Sequence, residues 1–377
     1  MTTKYDLINF LLNLTPDSEL AKTRAERPVA TENTQAAFDA IFSAPSKLLT
    51  LNVKYYLAHL VAKITGSVLL EKYYAELLSS HTEIEITAHL ALAEKYLHIL
   101  VSNPNQADYA LTQQFIQQGW SEPDIILLAQ LITFVTYQSR LVTGLGLLIG
   151  QNPNTGHRVN EPQTIKAGIW NHASQTQLGQ TSPTVFTQSQ LGWESWLSAR
   201  DANTLDENET QTMKKHGQLN SEYFLLLAHQ SEILALRTQI DRGIFYTSGG
   251  LPRWEREFAA AVVSKVNGCI YCASVHARKA SQYSKEHYAD VEKLLATPAD
   301  SELAEGYEPR LLAIIDLVAS LSATPIQASV KQISQLRSLG LSELELLDLI
   351  QSSAFFSWAN RLMLTLGEPF ELPENKE

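Results

Sequence analysis

Two blocks of sequence recur in the same order along the chain, and this repeat limits the possible folds more than any other feature. AKITGSVLLEKYYA around Gly66 aligns with SKVNGCIYCASVHA around Gly268 at a shift of 202 residues. GWSEPDIILLAQLITFVTYQSRLVTGLG, from Gly119, aligns with GLSELELLDLIQSSAFFSWANRLMLTLG, from Gly340, at a shift of 221. The second copy thus carries 19 more residues between its blocks. An ordered pair of repeats predicts two related units in tandem.

Both copies of the second block have the signals of a long helix. Each begins with Gly-x-Ser-Glu or a close variant, in which Ser121 or Ser342 can cap the first turn beside acidic residues. Apolar residues then recur every three or four positions, as one buried helix face requires. In the second copy these residues are Leu344, Leu347, Ile350 and Ala354.

The stretch around the second glycine also has a helical pattern. Pro252 suits the first turn of a helix that runs to about Val266. Asn267-Gly268 then offers a left-handed stop, so that a new helix would start at Cys269. No convincing strand pair is visible in the sequence. We therefore predict an all-α fold of two tandem helical domains that form a pseudo-repeat.

Composition divides the predicted repeat into three parts. Residues 1–150 hold the first copy, which contains neither of the chain's cysteines. Residues 151–189 are rich in Asn, Gln, Thr, Ser and Pro without apolar periodicity, which predicts a polar linker or extended arm. Residues 190–377 hold the second copy. Near its start, Trp193 and Trp196 are expected to anchor the arm.

Charge and hydropathy restrict the partners and the compartment. The 377-residue chain has a formal net charge of −11 and no basic stripe, so binding to nucleic acid is not expected. The apolar run 133–150 comes nearest to a membrane span, but polar residues at 137–140 interrupt it. Residues 1–14 lack the apolar core and cleavage site of a signal peptide. We expect a soluble, cytoplasmic protein with no membrane partner.

The chain has 2 cysteines, and they stand three residues apart. A secreted disulfide scaffold uses more cysteines at wider spacings, so this pair indicates redox chemistry or metal binding. On a helix, Cys269, Cys272 and His276 would share one face. A disulfide at this spacing closes a small, strained and easily reduced ring, which suits turnover better than a structural bond.

The same stretch offers a proton relay. Cys269 would lie at the positive N-terminal end of its helix, which stabilises a thiolate. His276 follows Cys272 by one helical turn and can accept its proton or stabilise its thiolate. Glu257 lies on the preceding helix, and folding of one helix on the other would bring its carboxylate toward His276. Together these residues predict a Glu–His–Cys relay.

Glu257, Cys269-x-x-Cys272 and His276, in the stretch RWEREFAAAVVSKVNGCIYCASVHARKA, resemble the alkyl hydroperoxidase D family of the carboxymuconolactone decarboxylase superfamily, in particular its peroxidase-related branch. The likeness covers about residues 245–367. It implies an all-helical, antioxidant thiol peroxidase in which Cys272 attacks the peroxide. It implies that Cys269 resolves and meets the reductant, while Glu257 and His276 move protons. It also implies no metal, haem or flavin cofactor, and a dithiol or lipoyl-type protein as reductant.

Two features depart from the family pattern. Tyr271 stands where the best-known members have a second histidine, and it is predicted equally to pack in the core or to line a substrate pocket. In the first copy the repeat places Ser67 and Leu70 at the cysteine positions, Tyr74 at the histidine and Tyr55 at the glutamate. That copy cannot perform the same redox chemistry. We expect it to be a packing partner, the second half of a dimer-like pair, or a pocket wall.

Several alternatives remain open on sequence alone. The two cysteines and His276 supply three zinc ligands where a structural site needs four. The cysteines are also interpretable as ordinary core residues, and Glu257 as a solvated charge among its arginine neighbours. Two functions remain as alternatives to the thiol peroxidase: a protein thiol–disulfide oxidoreductase and a non-redox decarboxylase-like enzyme. Because the family assembles from helical protomers, we also expect a homo-oligomer.

Overall fold

The computed structural model describes residues 5–79, 85–151, 164–170 and 173–373, and their regular structure is almost entirely helical, which confirms the predicted all-α class. The α-helices are α1 (Leu7–Leu11), α2 (Glu19–Ala25), α3 (Pro28–Ser43), α4 (Leu51–Thr65), α5 (Val68–Ser79), α6 (Ala88–Ser102), α7 (Tyr109–Gln117), α8 (Glu122–Leu148), α9 (Glu207–His216), α10 (Glu222–Leu227), α11 (Ser231–Phe245), α12 (Arg253–Val266), α13 (Ile270–Tyr283), α14 (Tyr288–Ala296), α15 (Pro309–Ser322), α16 (Val330–Ser338) and α17 (Glu343–Thr365). Short 3₁₀ turns lie at Pro104–Gln106, Ala202–Thr204, Ala228–Gln230 and Lys285–His287.

One strand pair accompanies the helices in the described part of the chain, and the sequence did not predict it. β1 (Leu191–Ser195) pairs antiparallel with β2 (Gly367–Glu371). Each strand is only five residues long, too short to show a readable alternation of apolar and polar residues. The Trp193 indole of β1 donates a hydrogen bond to the Met363 carbonyl, 3.2 Å away. The pair therefore ties the end of the arm to the end of α17.

Side-chain caps set the starts of the two longest helices. The Ser121 hydroxyl accepts a hydrogen bond from the backbone of Asp124 and the Ser342 hydroxyl from that of Glu345, both at 3.3 Å. The Glu345 carboxylate in turn accepts the Ser342 backbone N–H at 2.7 Å, which completes a capping box. These contacts confirm the two helix starts predicted from sequence.

The order of helices in the first half recurs in the second. α3 to α8 correspond in sequence order to α11, α12, α13, α15, α16 and α17, and α14 lies within the additional segment of the second half. Gly66, between α4 and α5, has a φ of 75°, and Gly268, between α12 and α13, has a φ of 70°. Both turns use the left-handed conformation that glycine adopts without strain.

The two long helices α8 and α17 pack against each other in the centre of the molecule, and both are buried over nearly their whole length. Arg140 on α8 donates to the carbonyls of Ser322 (3.0 Å) and Ala323 (3.2 Å), at the end of α15. Arg361 on α17 donates to the carbonyls of Leu100 (2.8 Å) and Val101 (3.0 Å), at the end of α6. Each half therefore supplies a buried cation that satisfies the last carbonyls of a helix in the other half.

Helix α8 is long and apolar enough to cross a membrane by length and composition, contrary to the expectation that polar residues would interrupt the run. Its apolar window is wholly buried inside the protein. Tyr137 shares a hydrogen bond with Thr34 at 2.7 Å, and Arg140 bonds to helix ends, so these two polar residues of α8 have partners within the fold. This burial is typical of the core helix of a soluble protein.

The described part of the predicted arm, 164–170 and 173–189, contains no helix and runs against the second half. The Gly168 backbone N–H donates to the Lys265 carbonyl at 2.8 Å. A Cβ atom at Gly168 would lie 2.3 Å from the Val266 carbonyl oxygen, so the approach requires glycine. Further along, Ser189 accepts a hydrogen bond from the Ser274 hydroxyl on α13. The arm therefore covers the turn between α12 and α13 and one side of α13.

Candidate active site

The turn between α12 and α13 positions the cysteine pair. Asn267 ends α12, Gly268 turns the chain with its positive φ, and the Cys269 backbone N–H donates to the Ser264 carbonyl at 2.8 Å. Cys269 is the N-cap of α13, and Cys272 lies within the first turn of that helix. The sequence predicted the glycine stop and the start of this helix, and both are confirmed.

The two thiols are free, and they differ in access to the surface. Cys269 is 1% exposed, whereas Cys272 is 6% exposed and lines a cavity of about 320 Å³. His276, one turn further along α13, lines the same cavity. The structure therefore brings Cys272 and His276 to one cavity and places Cys269 behind Cys272.

The two sulfurs also differ in acidity. Burial raises the pKa of the Cys269 thiol well above its usual value, and the hydrogen bond to Cys272 raises it further. Burial also acts to raise the pKa of Cys272, but hydrogen bonds from the Cys269 thiol and Asn360 and the positive charge of Arg237 outweigh it, so that this pKa is lowered. We had expected the helix N-terminus to favour a thiolate at Cys269. Burial prevents this, and Cys272 is the sulfur that favours the thiolate.

A buried amide network holds the donor that faces Cys272. The Asn360 side chain, on α17, accepts a hydrogen bond at its Oδ1 from the Asn267 amide and donates from its Nδ2 to the Ser264 hydroxyl, both at 3.0 Å. These bonds orient the amide so that its N–H₂ group also donates a hydrogen bond to Cys272. Three helical segments thus converge on the sulfur.

The predicted carboxylate–imidazole contact is present. The His276 Nδ1 lies 2.6 Å from the Glu257 Oε2, and Glu257 is completely buried. Burial acts to raise the pKa of the Glu257 carboxyl, but the hydrogen bond and positive charge of His276, followed by Lys279 and Arg253, outweigh it and lower the pKa. The ionised carboxylate therefore holds the imidazole in one orientation.

Aromatic rings hold the imidazole in place. The His276 ring meets the edge of Phe356 at 4.2 Å and lies 5.8 Å from Phe245, measured between ring centroids. Arg253, which donates to the other oxygen of Glu257 at 3.3 Å, packs its guanidinium over the ring of Tyr246. The pair of His276 and Glu257 is thus fixed by packing on one side and by a cation on the other.

The cavity beyond Cys272 has mixed walls. Its apolar surface comes mainly from Phe355, Phe356, Ala359 and Met363 of α17. Its charged side chains are Arg237 and Asp241 from α11 and Lys279 from α13, and the His276 imidazole also lines it. Tyr271 lines the cavity and is half-buried, so it contributes to the pocket wall rather than to the deep core. Such a cavity suits a small organic molecule with a polar group.

The matching positions of the first half are filled by side chains that pack. Leu70 and Ser67, aligned with the cysteines, are buried. Tyr74, aligned with His276, is completely buried, and its hydroxyl donates to the Gln138 side chain at 2.7 Å. Its ring also stacks on Phe42 at 5.8 Å between centroids. A hydroxyl–amide bond and stacked rings thus occupy the place of the imidazole and its carboxylate.

Within the part of the chain that the structure describes, no group of three or more His, Cys, Asp or Glu side chains is arranged to hold a metal ion. The two sulfurs face each other, and the nearest imidazole is engaged by Glu257.

Arg237 and Asn360 belong to the site but were not predicted from the sequence. Each of them interrupts an apolar pattern in the sequence. Arg237 stands on the buried stripe of α11 between Ile233 and Ile240, where an apolar residue is the norm. Asn360 lies in the apolar run FFSWANRLML, within a completely buried helical turn. A buried polar residue inside an apolar pattern is more informative than another exposed charge.

A comparison with known protein families matches the segment that carries the cysteine pair. Residues 231–288 match the model of the carboxymuconolactone decarboxylase family. The match runs from the start of α11 to the start of α14, and it includes Glu257, both cysteines and His276. No curated protein matches the sequence closely enough to count as a relative. Residues 231–288 are therefore similar to the carboxymuconolactone decarboxylase family.

Proposed function

We propose that the protein is a thiol-dependent peroxidase that reduces organic hydroperoxides with Cys272 as the nucleophile. The observation that carries the proposal is the placement of Cys272: it lines a cavity, its pKa is lowered, and a second thiol lies in hydrogen-bond contact behind it. A nucleophile that reacts once needs only the first two features. A buried partner thiol adds the means to resolve an oxidised sulfur.

In the first step, the Cys272 thiolate attacks the terminal oxygen of the hydroperoxide. The oxygen–oxygen bond breaks, Cys272 becomes a sulfenic acid, and the alkoxide leaves. Protonated His276 gives the alkoxide its proton, which releases the alcohol. Glu257 is an ionised carboxylate hydrogen-bonded to the imidazole, and it orients the ring for this transfer.

In the second step, the Cys269 sulfur attacks the sulfenic sulfur. Its proton and the hydroxyl of the sulfenic acid leave as water, and a disulfide forms. A neutral Cys269 thiol is a weak nucleophile, and its raised pKa favours this form, so that the Cys272 thiolate attacks the peroxide first. The order of ionisation therefore matches the order of the two steps.

An external dithiol then reduces the disulfide and returns both thiols. The resemblance predicts that the reductant meets Cys269, but this residue is buried behind the turn that the arm covers, and the cavity opens at Cys272. We therefore propose that a small dithiol or a lipoyl arm enters through the cavity and attacks the Cys272 sulfur. A thioredoxin-like protein partner would require a more exposed cysteine pair. The burial of both cysteines therefore favours a peroxidase over a general protein disulfide reductase.

The decisive measurement is consumption of cumene hydroperoxide by the pre-reduced protein in single turnover. The wild-type protein should consume one equivalent and form an intramolecular disulfide that is detected by intact mass. Cys272→Ser should consume none. Cys269→Ser should consume one equivalent and stop at a sulfenic acid, which dimedone traps. Equal peroxide consumption by the wild-type protein and Cys272→Ser would overturn the proposal, as would insulin reduction without peroxide turnover.

A further inference from the structure

One cation in the cavity has no partner for its hydrogen-bond donors among the described residues. Arg237, on α11, lines the cavity and is only 7% exposed. Its Nε makes no hydrogen bond to any described residue, and the Asp241 carboxylate, one turn on, acts on it through charge without a close ion pair. A buried guanidinium without an acceptor is costly, because it has lost its water and gained no bond in return.

The contacts that Arg237 does make are with ring faces. Its guanidinium carbon lies 5.2 Å from the centroid of Phe355, 5.8 Å from Tyr223 and 6.0 Å from Trp358. Ring faces stabilise a cation without using its N–H groups, so the donors of Arg237 stay free. The aromatic surroundings also hold the planar guanidinium in one orientation, which prepares it for bidentate binding.

Two further polar groups at the same wall lack partners. The Tyr223 hydroxyl and the Thr238 hydroxyl are buried, line the cavity and make no hydrogen bond to any described residue. Thr238 is the next residue to Arg237 on α11, and the Arg237 guanidinium lies over the Tyr223 ring. Three unpartnered groups in one wall indicate a place that a ligand with acceptor oxygens would occupy.

We propose that this wall binds the carboxylate of the substrate, so that the preferred hydroperoxides are organic acids. Arg237 would receive the carboxylate as a bidentate partner, with Tyr223 and Thr238 as additional donors. The substrate class rests on the proposed peroxidase function, whereas the carboxylate site itself does not. The apolar surface of α17 would hold the hydrocarbon part of the same molecule.

The charge balance favours a single negative charge on the ligand. Arg237 and Lys279 supply two positive side chains in the cavity walls, and Asp241, one turn after Arg237, supplies a negative one. A phosphate dianion would meet the Asp241 carboxylate with little excess positive charge to hold it. A carboxylate needs one guanidinium and finds a matching geometry there.

Binding tests the site without any peroxide chemistry. The probes are para-isopropylbenzoate and the neutral para-isopropylbenzamide, added to Cys272→Ser protein in isothermal titration calorimetry. We expect the benzoate to bind at least about tenfold more tightly than the amide, because it gains a charge-assisted pair. Equal affinity of the two probes for this protein overturns the proposal, and this comparison needs no change at Arg237.

The residue is tested by adding Arg237→Gln to the Cys272→Ser protein. The benzoate should lose roughly tenfold or more in affinity. The matched control is Arg242→Gln, the same substitution on an exposed arginine of the same helix that does not line the cavity. If the control weakens benzoate binding as much as Arg237→Gln does, the attraction is a general effect of charge and the site does not exist.

Turnover tests the substrate class. The substrates are para-carboxycumene hydroperoxide and cumene hydroperoxide, and the readout is the ratio of their kcat/KM values. The wild-type protein should prefer the carboxylate, mainly through a lower KM, and Arg237→Gln should abolish that preference. Selective benzoate binding without peroxide consumption would remove the proposed function and leave the carboxylate site standing. Peroxide consumption without either preference would remove the carboxylate site and leave the function standing.

Discussion

The two halves of the molecule use the same helices to surround two different interiors. Gly66 and Gly268 turn the chain with nearly equal positive φ angles, and Arg140 and Arg361 close helix ends in each other's half. Between these shared features, the first half holds buried Tyr74 bonded to an amide, and the second holds an imidazole beside a cavity. The comparison teaches that the scaffold tolerates either a packed core or a reactive site at one position.

The largest expected effect concerns the cysteine positions themselves. In a Cys269→Ser, Cys272→Ser background, we expect peroxide consumption to fall by at least about a thousandfold. Adding Ser67→Cys and Leu70→Cys in the first half should not restore it, because the buried, packed surroundings of Tyr74 supply neither an imidazole nor a carboxylate. Single-turnover peroxide assays measure both variants. Restored turnover would show that the helical frame alone creates the reactivity.

The next effect compares the His276–Glu257 pair of the second half with the Tyr74–Gln138 pair of the first half. His276→Gln and Glu257→Gln should each lower the rate of peroxide reduction by between roughly a hundredfold and ten thousandfold, because proton transfer to the alkoxide is lost or weakened. Tyr74→Phe, at the matching position, should leave the rate unchanged and lower the free energy of unfolding by about 1 kcal/mol. Stopped-flow peroxide assays and urea unfolding provide the two readouts. A slowed reaction in Tyr74→Phe would mean that the first half takes part in the chemistry.

The shared scaffold predicts equal losses of stability on both sides. Arg140→Met and Arg361→Met each remove a buried cation and leave helix-end carbonyls without donors. Each should lower the free energy of unfolding by about 3 kcal/mol, measured by urea titration. Arg242→Met, at an exposed position, is the matched control and should change little. If only one of the two buried arginines matters, the halves are not structurally equivalent.

The smallest effect concerns the pKa of Cys272. Asn360 donates a hydrogen bond that favours the thiolate, so Asn360→Ala should move the pKa of Cys272 upward. In Cys269→Ser protein, the pH midpoint for alkylation of Cys272 by iodoacetamide should therefore shift to higher pH, and alkylation at neutral pH should slow. Ser139→Ala, at the position aligned with Asn360, is the control and should not shift the midpoint. An unchanged midpoint in Asn360→Ala would show that the amide does not act on the sulfur.

Several features of the site were predictable because they depend on neighbours along the chain. Gly268 ends a helix, and Cys269, Cys272 and His276 follow it at helical spacing, so the motif and its local conformation were predictable together. The contact of Glu257 with His276 was inferred from two consecutive helices. Arg237 and Asn360 were not assigned to the site, because they come from α11 and α17 and reach it only when those helices pack on α13.

The sequence by itself determined the helical class, the starts of the two longest helices, and the alignment of the cysteines with a histidine, because these follow from periodicity, capping and turn residues within short stretches. The tertiary structure alone decided which sulfur has the lowered pKa, since burial acts on both thiols, while the hydrogen bonds from Cys269 and Asn360 and the charge of Arg237 lower the pKa of Cys272. It also decided that the arm covers the turn before Cys269 and that the Nε of Arg237 makes no hydrogen bond in the cavity wall. Desolvation and charge act through space, and the residues responsible lie on helices far apart in the chain.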